Sequence, residues 1–155
     1  MGCSIVLRED DLCGPDIEAL LAIHLDNAAQ HSPPESVHAL DMAALRASDI
    51  TFWTAWQGSN LLGCGALKEL EAGHGEIKSM HTVEAHRGKG IASLLVAQIL
   101  QAAASRSYKR VSLETGSMAA YAPARGLYRH FGFEECAPFG EYEADPHSFF
   151  MTRLI

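Results

Sequence analysis

Apolar residues open the chain as a triplet, Ile5-Val6-Leu7, closed by the polar run Arg8-Glu9-Asp10-Asp11, which predicts a short first strand. Ile17, Leu20, Leu21, His24 and Ala28 then recur at helical spacing behind the entry Gly14-Pro15-Asp16, so a first helix follows. Ser32-Pro33-Pro34-Glu35 has the form of a capping box with proline at the first helical position. Val37, Leu40 and Ala44 continue one face of a second helix that is expected to end near Ala47.

The pattern changes at 51–57, which is aromatic and β-branched, and a turn at Gly58-Ser59-Asn60 leads into a returning strand over 61–70. The break Ala72-Gly73-His74-Gly75 precedes a strand over 76–83, and a glycine-flanked start at 87–90 opens a third helix reaching about Arg106. A strand over 110–114, a fourth helix over 120–131 and strands over 132–138 and 148–154 complete the chain. The order β-α-α-β-β-β-α-β-α-β-β predicts an α+β fold: a mixed, mostly antiparallel sheet of about seven strands layered with four helices. No linker or repeat interrupts it, so residues 1–155 are expected to be one domain.

Composition narrows the class. A chain of 155 residues, 48% apolar and 20% charged, buries roughly 70% of its unfolded surface and needs neither disulfides nor a structural metal. Cys3, Cys13, Cys64 and Cys136 contain no Cys-x-x-Cys pair, and the eight histidines show no ligand spacing on one helix face, so no metal is expected. Free thiols suit a reducing, cytoplasmic setting. The most apolar run, 91–104, is interrupted by Ser93, Gln98 and Gln101, and the start Met1-Gly2-Cys3-Ser4 carries neither an export pattern nor a complete acylation signal. No membrane partner is expected.

Charge is divided unevenly. The formal net charge is −7, yet residues 1–76 hold three Lys and Arg against twelve Asp and Glu, and residues 77–155 hold nine against seven. An anion is better received by the second half. Only Arg87, Lys89, Arg106, Lys109 and Arg110 cluster, too few for a duplex-binding face, so nucleic acid is not an expected partner.

The run with the most chemistry is Met80-His81-Thr82-Val83-Glu84-Ala85-His86-Arg87-Gly88-Lys89-Gly90-Ile91-Ala92-Ser93, a strand, a glycine turn and a helix start. Unpaired N–H groups and the positive dipole end at such a start bind phosphate if the approach is open, and Gly88 and Gly90 keep it open. Arg87 and Lys89 add charge for a diphosphate. A dinucleotide fingerprint fails because Ser93 stands where its third glycine belongs and too little chain remains for a doubly wound sheet. The triphosphatase loop Gly-x-x-x-x-Gly-Lys-Ser/Thr does not occur.

Here the sequence resembles the GCN5-related N-acetyltransferases. Their signature Gln/Arg-x-x-Gly-x-Gly/Ala is matched by Arg87, Gly90 and Ala92, and a second feature, Ala four residues before Tyr and then Gly-Phe, by Ala124, Tyr128, Gly132 and Phe133. Ile77-Lys78-Ser79-Met80, Leu113-Glu114-Thr115-Gly116, Pro138-Phe139 and Asp145-Pro146 look like a subgroup of small bacterial acetyltransferases. The resemblance spans nearly the whole chain. It implies the layered α/β/α fold of that family and acetyl-CoA as co-substrate, its diphosphate on Arg87, Gly88, Lys89, Gly90, Ile91, Ala92 and Ser93. The pantetheine arm would pair with the backbone of Met80, His81 and Thr82, which a splayed strand leaves free. Where many members carry Asn at the start of the fourth helix this chain has Tyr121, a cofactor contact or a packing residue.

Acetyl transfer to nitrogen asks for two more groups. An alkylammonium with a pKa near 10.4 is neutral in only about one molecule in 10³ at pH 7, a deficit of roughly 4–5 kcal/mol that a base must offset. Glu76, six residues before Thr82 on the central strand, stands where the histone-acetylating branch of the family keeps its base glutamate. Tyr128 matches the family's acid position, and a phenol is near a thiol in basicity, suited to protonating the departing CoA thiolate. His81 is a further proton relay, while Cys64 and Cys136 read as core residues.

The function expected is acetyl-CoA-dependent N-acetylation of a primary amine, of a small molecule first and of a protein second, by direct attack in a ternary complex. The alternative is a non-catalytic acetyl-CoA-binding sensor or interaction module. Acceptor walls are expected from the first two helices and the last hairpin, rich in acid at Asp16, Glu18, Asp26, Glu35, Asp41, Glu134, Glu135, Glu141, Glu143 and Asp145. A homodimer is compatible with all of this.

Overall fold

The computed structural model describes residues 4–36 and 42–155. Its sheet has seven strands in the order β1 (Ile5–Glu9), β2 (Ile50–Gln57), β3 (Asn60–Glu71), β4 (His74–Thr82), β5 (Arg110–Gly116), β7 (Ser148–Leu154) and β6 (Glu134–Glu135). All neighbours are antiparallel except β4 and β5. Helices α1 (Pro15–His31) and α2 (Met42–Leu45) cover one face, and α3 (Ile91–Ser105) and α4 (Ala122–His130) the other.

Each face has its own core, and strand alternation divides the residues between them, with the register shift at Leu62 turning that side chain to the α3 face. On β3, Leu62 and Leu67 pack with Val96, Ile99 and Leu100 of α3, while Cys64 and Ala66 pack with Ile17, Leu21 and Leu45 of the first two helices. The α3 face is the larger, adding Val111, Leu113, Phe133 and Met151 from the far half of the sheet. This is the layered α+β architecture that the periodicities predict.

The differences from expectation lie at element ends. Proline in the first turn sets the start of α4 at Ala122, after a separate 3₁₀ turn over Ala119–Tyr121. Strand β6 is two residues long: Gly132 turns at φ 89° just before it, and the ladder with β7 ends in a single bond from Cys136 N–H to Phe150 O at 2.9 Å. The capping box opens a 3₁₀ turn, Pro34–Ser36, and α2 is described over Met42–Leu45; the expected helical positions Val37 and Leu40 lie outside the described residues.

The relation of β4 to its neighbours positions the site. β4 pairs with β5 only from His74 to Ile77, and beyond Ile77 the two strands part. On the β3 side, register slips between Cys64 and Ala66, so that Ser79 and Met80 together oppose Gly65. Ser79 forms this bulge with φ 56°, a left-handed value that non-glycine residues rarely adopt. Gly65 leaves room there for the Met80 thioether, which a β-carbon at residue 65 would displace. A bulge on one edge and a split on the other open the sheet where β4 leads into the glycine turn.

Candidate active site

Two adjoining hollows share lining residues at the split. The larger, about 690 Å³, runs from the glycine turn along β4 and is walled by α1 and α4; it is lined by Met80, His81, Thr82, Arg87, Gly88, Gly90, Ile91, Ala92, Ser93, Tyr121 and Tyr128 among others. The smaller, about 170 Å³, lies deeper between the parted strands, with Glu76, Lys78 and Ser79 of β4 facing Glu114, Thr115 and Gly116 of β5. His24, Ala28, Met80, Tyr121, Ala124 and Tyr128 line both, so they form the neck. Of the residues expected to hold the cofactor, all but Lys89 line the larger hollow; Lys89 is exposed on the turn, its Nζ 3.3 Å from His86 Nδ1.

The turn is built as an open cradle. Gly88 and Gly90 have φ 78° and 80°, and a β-carbon on either would meet nothing within 4 Å. Gly90 is the N-cap of α3 and supplies no side-chain acceptor, so the first N–H groups of this fifteen-residue helix are not capped by it. Glycine serves here for its backbone conformation and for the access it leaves.

Glu76 is buried at 3% exposure. Its Oε2 accepts from Lys78 Nζ at 3.0 Å and from the Tyr142 hydroxyl at 2.5 Å, and Lys78 also donates to Tyr142 Oη at 2.9 Å. Tyr142 comes from the irregular segment before β7 and is held by rings, its centroid 5.2 Å from that of Phe139 and 5.5 Å from that of Phe150. Its phenol is pushed far above its usual range, by burial first and then by the Glu76 charge.

Glu114 lines the same chamber, and its carboxyl is pushed up to about 8. Burial is the main cause, Lys78 opposes it, and the negative charges of Glu76 and Asp145 add to it. Tyr128, at the neck, is buried at 6% exposure with its phenol raised by burial and by the Glu114 charge. It therefore stays protonated through the neutral range.

His24 and His81 face each other at the mouth of the neck, Nδ1 to Nδ1, at 3.0 Å. One ring donates and the other accepts, which requires at least one neutral imidazole. Burial lowers both pKa values, that of His24 to about 4 with help from His81. Cys64 is buried, its thiol pushed up to about 12, chiefly by burial, which leaves it no thiolate at neutral pH.

Sequence reasoning brought Glu76, Tyr128 and the glycine turn to one cleft but missed Glu114, Tyr142 and the His24 partner of His81. The acidic residues expected from the first two helices and the last hairpin are not among the described residues that line the smaller hollow. The two carboxylates lining the chamber, among the described residues, come from the central strands, and of the expected acidic set Asp145 reaches it only through its charge on Glu114; Asp41 lies outside the described residues. The signal was present for one pair: Glu76 and Lys78 are two apart on a strand and therefore share a face.

Residues 17–133 match the model of the acetyltransferase (GNAT) family. A Bacillus subtilis protein named uncharacterized N-acetyltransferase YsnE is 52% identical over 149 residues, 96% of this chain and 99% of its own. Escherichia coli YedL, also named an uncharacterized N-acetyltransferase, is 47% identical over 96% of this chain and 94% of its own. A Bacillus subtilis acetyltransferase crystallised in complex with CoA shares the fold at a TM-score of 0.74 and 16% identity, over 98% of this chain and 99% of that one.

Proposed function

This chain belongs to the acetyltransferase (GNAT) family, and we propose that it moves the acetyl group of acetyl-CoA to a primary amine of a small molecule by direct attack in a ternary complex. The observation that carries the reading is the adjacency of the two hollows, which share six lining residues. An extended thioester laid along β4 from the glycine turn would bring its reactive end to the neck at Tyr128, with a small polar chamber beyond for the acceptor.

The residues present suit such a co-substrate. The free N–H groups at the start of α3 and the exposed Arg87 suit a diphosphate, and Met80, His81 and Thr82, past the last β5 pairing at Ile77, offer backbone to an amide-bearing arm.

In the reaction the amine nitrogen bonds to the acetyl carbon and the carbon–sulfur bond breaks. The nitrogen loses two protons between ammonium and amide. Tyr128 gives its phenolic proton to the departing sulfur and is replenished by one of them; the acidic wall of the chamber takes the other and passes it to solvent. Glu76, the carboxylate expected for that second proton, holds Lys78 and Tyr142 in place as part of that wall. The chamber volume, about 170 Å³, favours a small acceptor over a folded protein segment.

The test measures acetyl-CoA binding by calorimetry and thiol release with a panel of short primary amines. Binding together with amine-dependent release and an N-acetyl product by mass spectrometry is expected. Binding with no release for any amine would instead describe a non-catalytic acetyl-CoA-binding module.

A further inference from the structure

Of the six residues that line both hollows, His24, Tyr121 and Tyr128 present rings and Ala28 and Ala124 a methyl each. Met80 completes the set with a long, unbranched apolar chain. It is half-buried and packs against the α3-side core. Its thioether lies over Gly65 of β3: a β-carbon at residue 65 would overlap Met80 Sδ and stand 3.7 Å from Met80 Cε and 3.2 Å from Ile99 Cδ1 of α3. The recess left by the missing side chain of Gly65 is therefore filled by the end of Met80, with Ile99 beside it.

A thioester carbonyl held at the neck leaves two directions for the acyl tail beyond it. One leads into the smaller hollow, where Glu76, Lys78 and Glu114 line the wall. An alkyl chain there would strip water from charged groups and occupy the acceptor's room. The other leads into apolar surroundings between β4 and α3, and this direction ends on the Met80 side chain.

We propose that Met80, seated in the Gly65 recess, is the end-stop of the acyl pocket and sets the length of acyl group accepted: acetyl fits, and longer straight chains are refused. The proposal rests on the transfer reading above and gives that site its class of acyl donor. Met80 touches the acyl tail and takes no part in the bonds made or broken, so it is a specificity residue. Gly65 and Met80 act as one device, since the glycine leaves the space that the thioether fills. Cutting Met80 to alanine removes Cγ, Sδ and Cε, which opens room for the two extra methylenes of a butyryl group.

The size of the effect follows from the chemistry of the stop. Each methylene buried in an apolar site improves affinity about fourfold, so two of them given room are worth roughly tenfold or more. A methylene without room loses that gain and displaces its neighbours as well. An unbranched thioether changes rotamer more easily than a branched side chain, so the refusal is graded. Propionyl should be weaker than acetyl by a few-fold, and butyryl by about tenfold or more.

The experiment is calorimetry of CoA, acetyl-CoA, propionyl-CoA and butyryl-CoA with wild type, Met80→Ala, Met80→Val and Gly65→Ala. Each acyl-CoA affinity is divided by that of free CoA for the same protein, so any effect of a substitution on the shared part of the cofactor cancels and no acceptor is needed. Wild type should rank acetyl above propionyl above butyryl. Met80→Ala should raise butyryl relative to acetyl by about tenfold or more, and Met80→Val, which lacks Sδ and Cε but suits a strand, should move the same way by less. Gly65→Ala should drive the thioether out of its recess toward the neck and weaken acetyl-CoA several-fold relative to CoA. Wild type that binds butyryl-CoA as tightly as acetyl-CoA overturns the proposal, as does a wild-type ranking kept in Met80→Ala; should that variant not fold, Met80→Val decides by the same comparison. Wild type that binds neither CoA nor any acyl-CoA overturns the transfer reading itself, a result distinct from the others.

Discussion

Tyr121 packs so closely on Gly116 that a β-carbon at residue 116 would overlap the tyrosine ring at three of its atoms. The contact joins the end of β5 to the turn before α4 at the neck between the two hollows. Tyr121 thereby packs on the strand end and lines the larger hollow. Its ring also meets His31 of α1 edge-on, with centroids 6.1 Å apart, so it bridges both helical layers.

Gly116→Ala should displace that ring and cost about 1–3 kcal/mol, the usual range for overpacking. Tyr121→Ala should relieve most of the penalty, because the clash is with the ring alone among the nearest atoms. Thermal or urea melts of both single variants and the double variant would measure the coupling. Additive losses would mean that the strand end yields rather than the ring.

Reversing charge at the glycine turn should weaken CoA binding selectively. Arg87→Glu places a carboxylate where a diphosphate is expected, and Gly90→Glu adds bulk, charge and backbone strain at φ 80°. Calorimetry should show CoA affinity falling at least tenfold in each, with Arg87→Glu folded as stably as wild type because Arg87 is exposed. Unchanged affinity in folded variants would remove the diphosphate from this turn.

What the sequence made legible follows from how local each signal is. Gly88 and Gly90 announce a turn within four residues, and the faces of α1 and α3 repeat within each helix, so the element order and the cradle can be read directly. Glu76 and Tyr142 are 66 residues apart, and His24 and His81 are 57 apart. Tyr142 also sits in a segment with no periodicity, where only ring packing against Phe139 and Phe150 places it. Glu114 looked like any strand glutamate because burial and like charges, which raise its pKa, exist only once β4 and β5 have parted. The bulge opposite Gly65 turns on the single residue Ser79 in a left-handed conformation, which no hydrophobic pattern encodes.

The histidine pair should make stability depend on acid. His24 has a folded pKa near 4 against about 6.5 unfolded, so between these values the unfolded chain binds more protons and stability falls as pH is lowered from 6.5 to 4. The full effect is on the order of 3 kcal/mol. Glu114 acts with the opposite sign: its raised pKa costs stability as pH climbs from about 4.5 toward 8. Comparing wild type with His24→Asn isolates the imidazole contribution, and the gap in melting free energy between them should change by about 1 kcal/mol or more between pH 7 and pH 5. A constant gap would show that the imidazole titrates normally in the fold.

Tyr128 gives the sharpest separation of chemistry from packing. Its ring lies 5.9 Å, edge to face, from that of Phe133 within the α3-side core, a contact that Tyr128→Phe preserves while removing one oxygen. If that oxygen protonates the departing thiolate, kcat should fall by about 10²–10⁴ while CoA affinity holds and stability changes by no more than about 1 kcal/mol. Because burial and the Glu114 charge hold the phenol well above its usual range, it remains an acid throughout the assay window. The wild-type rate should therefore show no falling limb up to pH 9, whatever carboxylate governs the rising one. The Phe variant, slower throughout, should keep the shape of that rise, since the group that takes the ammonium proton is untouched. A kcat within a few-fold of wild type on an accepted amine would assign Tyr128 to the core alone and leave the thiolate to be protonated by solvent in the cleft.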